Sequence, residues 1–311
     1  MATKKNPDIG YITGVLTETG VIGIIAAAES LENDDVAHSF LAIHKEKAWK
    51  VFQEDFDIVS IASGQGPFAR HVGYLGLLGD VTVNEPNGAH EEHVHKGKAG
   101  PSSLRTMNEL RAVGDWFVAV GMRRQVFRRK LTGGAWSRFD AGVLLDEASL
   151  EIAGFLSVDG FGNDEIYAVG YRGDIWLRDA KAWHQIDSPT SVRLECVRRG
   201  GDDTVVACGE DGVVVMGRGQ LWALVDANGI DSTLKSAAWF KDRWYLADEE
   251  GGVFTIGAAG LEADAAFAKL DATSGTLCAN GTHLLSVGEE DIFLFDGKKW
   301  QRVPHPPIDP T

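Results

Sequence analysis

The chain has 311 residues, 44% of them hydrophobic, with 45 acidic against 30 basic side chains and a formal net charge of −15. That content supports a sizeable core and excludes a disordered chain, and the acidic balance opposes a nucleic-acid ligand. No apolar run is long enough for a membrane-spanning helix, the nearest being residues 21–28.

Taken in chain order, the predicted elements are short strands that recur as one unit with a period of about 40 residues. The first unit, 8–53, closes on Trp49 and Phe52. The second, 57–97, is the least regular and has His93 where the aromatic marker belongs. The third, 104–140, closes on Trp136 and Phe139, and the fourth, 150–187, on Trp183 and Ile186. The fifth, 192–226, ends with Trp222 and Val225, while the sixth, 233–267, replaces the tryptophan by Leu261. The seventh, 274–304, closes on Trp300 and Val303.

Residues 164–186 show the pattern inside a unit. Ile166, Ala168 and Gly170 alternate with Tyr167 and Val169, and Gly170 and Gly173 then bracket a polar turn. Ile175 and Leu177 begin a second run, and a turn around Asp179 leads into Trp183. Period-two alternation punctuated by Gly and Asp is the signature of an antiparallel meander. One further apolar run precedes each of these, which makes four strands per unit. Seven such units predict an all-β chain, a single seven-bladed propeller of four antiparallel strands per blade. A blade has two apolar faces and buries neither alone, so blades stack until the ring closes. Small residues in the second strands (Ala119, Ala168, Ala207, Ala247) suit such a face, and the marker tryptophans are expected to be packing positions. Blade seven ends on its own outer strand, so closure is expected without strand exchange.

Through stretches such as Y-A-V-G-Y-R-G-D-I at 167–175 and D-G-K-K-W at 296–300, the chain resembles the WD40/YVTN/BNR-like seven-bladed propellers. The resemblance covers nearly the whole chain and is generic. It implies a rigid interaction scaffold and transfers no catalytic residue.

Few residues carry recognisable chemistry. His90, His93 and His95 lie in an extended hairpin after Asn87-Gly88, where a divalent metal is geometrically conceivable with Glu91, and a solvated hairpin is the simpler reading. No cofactor is expected otherwise. Gly64-Gln65-Gly66 lacks a following helix and reads as a loop. Cys196, Cys208 and Cys278 lack metal-type spacing and read as reduced strand residues, consistent with a cytoplasmic protein. The basic run 122–130 is short, and as a structural feature it is expected to pair with neighbouring acidic loops such as Asp146-Glu147.

Charge is more informative. The loop between second and third strands falls on one face of every blade. It carries Glu210 and Asp211 in unit five, Asp248, Glu249 and Glu250 in unit six, and Glu289, Glu290 and Asp291 in unit seven. Unit one, the neighbour of unit seven in a closed ring, carries Glu29, Glu32, Asp34 and Asp35 there. Units three and four place Arg123, Arg124 and Arg172 at the equivalent position. This segregation predicts a monomeric, non-enzymatic interaction protein, an inhibitor or immunity type that captures a basic protein such as a nuclease-like toxin. The alternative is a propeller lyase or hydrolase acting on a sugar or other small molecule at the central channel. Neither reading calls for a membrane.

Overall fold

A meander of alternating strands leaves each unit as a twisted sheet whose two faces both need cover. The structure, a computed structural model describing residues 6–310 except 147 and 150, meets that need with a closed ring. Seven four-stranded sheets follow one another, each with its strands in sequence order and all neighbours antiparallel. Blade one runs from Ile9–Leu16 to Ala48–Glu54, blade two from Ile58–Ser63 to Gly88–His93, and blade three from Met107–Val113 to Ser137–Arg138. Blade four runs from Phe155–Gly162 to Trp183–Ile186 and blade five from Leu194–Arg199 to Leu221–Val225. Blade six spans Leu234–Phe240 to Gly260–Ala263, and blade seven Thr276–Ala279 to Trp300–Arg302.

The core lies between blades. Val113, Val118, Val158, Ile166 and Trp183 join blades three and four, and Val169, Ile175, Leu194 and Val215 join blades four and five. Ala119, Ala168, Ala207 and Ala247 are wholly buried, as a second strand pressed against its neighbour requires. Fully burying one Val, Leu or Ile side chain is worth about 1.5–3 kcal/mol, so the seven seams carry most of the stability.

Closure uses no exchanged strand. The Tyr11 amide of blade one donates to the Glu289 carbonyl of blade seven at 3.0 Å. The Asn280 side-chain amide donates to the Thr17 carbonyl at 2.9 Å. The segment after the last strand crosses the seam. The Trp49 indole N–H donates to the Pro304 carbonyl, while Val303 and Ile308 are buried in the core of blades seven and one.

The marker tryptophans divide into two kinds. Trp183 is buried, donates to the Phe139 carbonyl at 2.7 Å, and packs against Phe139 and Phe155. Trp222 is only half-buried, with its N–H on the Gly219 carbonyl of its own hairpin and its ring edge-on to Tyr167. The equivalence expected from spacing therefore fails in burial, because blade three covers Trp183 from a second side.

Candidate functional site

The fold creates three places where function could sit: the inner ring, the central cavity, and the face bearing the loops between second and third strands. We call that face the upper one; the blade-to-blade connections share it, because every blade is an up-and-down meander.

At the inner ring, alternate blades are joined by a buried serine. Ser60, Ser157 and Ser236 accept the amides of Leu110, Val197 and Leu277 of the next blade, each at 3.0 Å. Glu109 serves the intervening seam by accepting the Val158 amide at 2.8 Å. Its carboxylate also accepts Ser157 Oγ at 2.7 Å and Arg198 Nη2 at 2.6 Å. Burial works against the Arg198 charge, but Cys196, Glu109 and Asp159 outweigh it and hold its pKa above the ordinary value. The repeated tetrads I-V-S-I, M-N-E-L, F-L-S-V and L-K-S-A at these strands were the available sequence signal.

A cavity of about 260 Å³ opens on the lower face, among the turns between first and second strands. Arg111, Arg198, Arg199, Asp159, Gln65 and Trp239 are among its lining residues, and no histidine is. Its charges answer one another. Asp159 accepts from Arg111 at 3.3 Å and from the Arg199 amide at 3.2 Å, and the Arg199 side chain reaches across to Gln65 at 3.0 Å. Gly64 and Gln65 are loop residues on this rim, as their sequence suggests, while Gly66 opens a single 3-10 turn, Gly66–Phe68, and no α-helix follows.

On the upper face the structure brings the acidic loops of blades five, six, seven and one to adjacent positions. Glu29, Glu32, Asp34, Asp35, Asp211, Glu249, Glu250, Glu289 and Glu290 are exposed, and Glu210 is half-buried. The remaining two of the twelve are not rim groups. Asp248 is buried, accepting Ser232 Oγ at 2.6 Å and the Gly252 amide at 2.6 Å. Asp291 is also buried, where it accepts the Thr273 amide and pairs with Arg302. Both sit where the turn meets a strand, and a short carboxylate there serves the turn's own amides.

Local geometry explains how the exposed carboxylates are presented. In blade five, Asp211 takes a left-handed φ of 55° and the following Gly212 one of 65°, turning the Asp211 side chain outward. A Cβ on Gly212 would fall 2.0 Å from the Ile230 carbonyl oxygen, so only glycine fits that turn. Arg193 lies 3.2 Å from Glu210, and Lys235 lies 3.8 Å from Glu249. The Thr233 side chain and amide, with Lys235 and Arg193 nearby, hold the Glu249 carboxyl below its usual range.

The three arginines of blades three and four behave differently from one another. Arg123 is buried and donates to the Asp146 and Ser149 carbonyls, so its pairing near Asp146 is to the backbone. Glu147 lies outside the described residues. Arg124 is taken up by Asp174 at 2.6 Å and Glu151 at 3.4 Å. Arg172 alone of the three is well exposed.

The histidines of blade two do not converge. His90 is 3.8 Å from Glu85, His93 Nδ1 lies against the His95 amide, and the His95 ring stacks on Phe127. Among the described residues no group of three His, Cys, Asp or Glu is placed to hold a metal ion. Cys196 and Cys208 face each other across adjacent strands as buried free thiols, and Cys278 is half-buried.

A rigid ring of seven blades with an acidic arc on one face defines an interaction propeller. No family model matches the chain. Solved structures confirm the fold. YCF48 bound to D1 peptide aligns with a TM-score of 0.66 at 13% identity, covering 94% of this chain and 96% of its own. A catalytically inactive virginiamycin B lyase from Staphylococcus aureus with quinupristin aligns at 0.69 and 10% identity, with the same coverage. The immune protein Tsi7 of Pseudomonas aeruginosa is 30% identical over 308 residues, 97% of this chain and 100% of that protein. The chain belongs to the family of this immune protein, an immunity-type binding protein on a propeller scaffold.

Proposed function

We propose that the chain neutralises a basic partner protein, such as a nuclease-like toxin, by capturing it on the acidic arc of the upper face, without catalysis of its own. The observation that carries this reading is the arc itself: nine exposed carboxylates on four successive blades, gathered by ring closure from both ends of the chain. Such a field steers a cationic surface and raises its association rate. Kinship with an immune protein supports the same reading. The three unpaired thiols favour a reducing compartment and so support the cytoplasm as the site of action. The central cavity gives the enzymatic alternative no comparable support, because two of its three arginines, Arg111 and Arg198, are held by Asp159 and Glu109.

The test is a four-fold reversal, Glu249, Glu250, Glu289 and Glu290 to Lys, which moves the formal net charge from −15 to −7, since each substitution adds two. The probe is the protein that the wild-type chain retains from native cell extract, identified by mass spectrometry, re-expressed and purified. Stopped-flow association is expected to slow by about tenfold or more, with a flattened dependence on ionic strength. Thermal stability should stay near wild type, because exposed charges contribute only about 0–1 kcal/mol each. A control reversal at Glu91 and Glu46, both exposed and away from this face, should leave association unchanged. Unchanged association in the four-fold variant would remove the arc from the binding site.

A further inference from the structure

Acidic loops occupy only part of the upper face. Around the rest of the same ring the loops present apolar side chains beside the exposed cations Lys96, Lys98, Arg105 and Arg172. Among the described residues eight large hydrophobic side chains are exposed, and four of them (Val36, Leu78, Leu144 and Ile152) belong to upper-face loops. Val36 follows Asp34 and Asp35 in blade one, where the acidic arc ends. Leu78 lies in the corresponding loop of blade two, and Leu144 and Ile152 lie in the connection from blade three to blade four. The other four, Ile12, Phe52, Leu221 and Leu224, are on strands or at a strand bulge. The two arcs therefore divide one face between them and meet at blade one.

The apolar arc is held in shape from beneath. The connection over residues 139–154 is the longest between any two blades and has little regular structure among its described residues, a form that in compact domains usually serves binding. Buried Arg123 clamps it: its guanidinium donates to the Asp146 carbonyl at 2.7 Å and the Ser149 carbonyl at 3.2 Å. Its backbone joins the same loop on both sides, through the Ala153 carbonyl at 2.8 Å and the Leu145 amide at 2.9 Å. Arg124 ties Glu151 to Asp174 of blade four. Ile152 is nevertheless 60% exposed. A buried cation spent on the shape of a loop that displays an isoleucine to water fixes that isoleucine before any partner arrives, which lowers the ordering cost of binding.

From this we infer that the docking surface is bipartite: the acidic arc steers the basic partner, and Leu78, Leu144 and Ile152 form an apolar anchor that receives an apolar patch bordering its basic surface. The inference rests on the reading of the acidic arc as a docking site. Charge complementarity raises the encounter rate, whereas desolvated apolar contacts near the centre of a footprint govern dwell time. A partner matching both arcs is bound in one orientation, because a half-turn about the ring axis would set its basic surface over Arg172 and its apolar patch over carboxylates.

The test is the triple variant Leu78→Ala, Leu144→Ala and Ile152→Ala, measured by surface plasmon resonance against the purified partner described above and compared with the four-fold acidic reversal. Exposed leucine and isoleucine support little of the core, and circular dichroism with thermal unfolding will check that the ring is intact. The triple variant is expected to dissociate about tenfold faster or more, with its association rate and salt dependence near wild type, whereas the acidic reversal changes association. If the triple variant dissociates as wild type does while the acidic reversal slows association, the apolar anchor is refuted and the acidic arc stands. If neither variant alters binding, both are refuted. If the wild-type chain retains no protein, the docking reading falls, and the anchor with it.

Discussion

Removing the inner-ring hydroxyls together, by Ser60→Ala, Ser157→Ala and Ser236→Ala, isolates what joins one blade to the next independently of apolar packing. All three serines are buried, and each accepts one amide of the following blade at 3.0 Å. Alanine leaves those amides, Leu110, Val197 and Leu277, without their acceptor. A buried donor left unpaired costs about 1–3 kcal/mol. The three serines occupy alternate blades and share no partner, so their effects should add, for a total loss of about 3–9 kcal/mol. Ser157 falls at the upper end of its range, because its hydroxyl also donates to Glu109, whose carboxylate holds Arg198. At roughly 2–4 °C per kcal/mol for a chain of this size, the melting temperature should drop by about 10–30 °C. Urea titration followed by tryptophan fluorescence, alongside thermal scans, will measure the loss. A triple variant within about 1 kcal/mol of wild type would refute the argument, since water would then be replacing the hydroxyls at no cost.

Two further outcomes follow from packing and charge. Trp183→Ala should cost about 3–5 kcal/mol in chemical denaturation, as for a buried aromatic, whereas half-buried Trp222→Ala should cost about 1–2 kcal/mol; equal losses would contradict the burial difference. Several carboxyls titrate below their ordinary range in the folded chain: Glu165 mainly through Arg218, Asp296 through the Lys299 and Lys298 amides, and Asp179 from 3.8 to about 2 through the Ala182 and Lys181 amides. A depressed folded value stabilises above the unfolded pKa and loses that contribution as pH falls through the folded one. The melting temperature should therefore be level from neutrality to about pH 5 and decline steadily between about pH 4.5 and 2, with Arg218→Ala reducing that decline. A flat profile to pH 2 would contradict these assignments.

The propeller was legible in the sequence because its two signals, strand alternation and a recurrent outer-strand marker, are local and repeat seven times. Even His93 and Leu261, which lack the indole of the marker, lie on outer strands. Placement of the acidic loops on one face was equally legible, since an up-and-down meander puts every second turn at the same end. Burial within those loops was not. Asp248 and Asp291 share composition with Glu249 and Glu290, yet they turn inward to serve the amides and hydroxyls of neighbouring chain. Side-chain length is the physical difference, because aspartate reaches its own turn and glutamate reaches past it. Burial of Arg123 and Arg129 within the basic run was not legible either, the second lying between Glu85 and Glu92. The apolar arc escaped notice for another reason. A single leucine in a loop carries no periodicity, and only ring closure shows that Val36, Leu78 and Ile152 share a face.

The geometry of the ring separates stability from recognition more sharply than composition suggests. Apolar clusters and inner-ring hydrogen bonds lie between blades, so they depend on strand residues and on the few turn residues that point back into a seam. In the blade-six and blade-seven turns, the aspartate beside a strand belongs to the seam and the adjacent glutamates to the surface. The same split appears in blade four, where Asp174 is buried against Arg124 while Arg172 is exposed. Charge at the outward positions can therefore change without unpairing a buried group, whereas charge at the inward ones cannot. A scaffold arranged in this way can carry a strongly one-signed arc on one face because the repulsion it creates falls in water, where it is screened, and leaves the seams untouched.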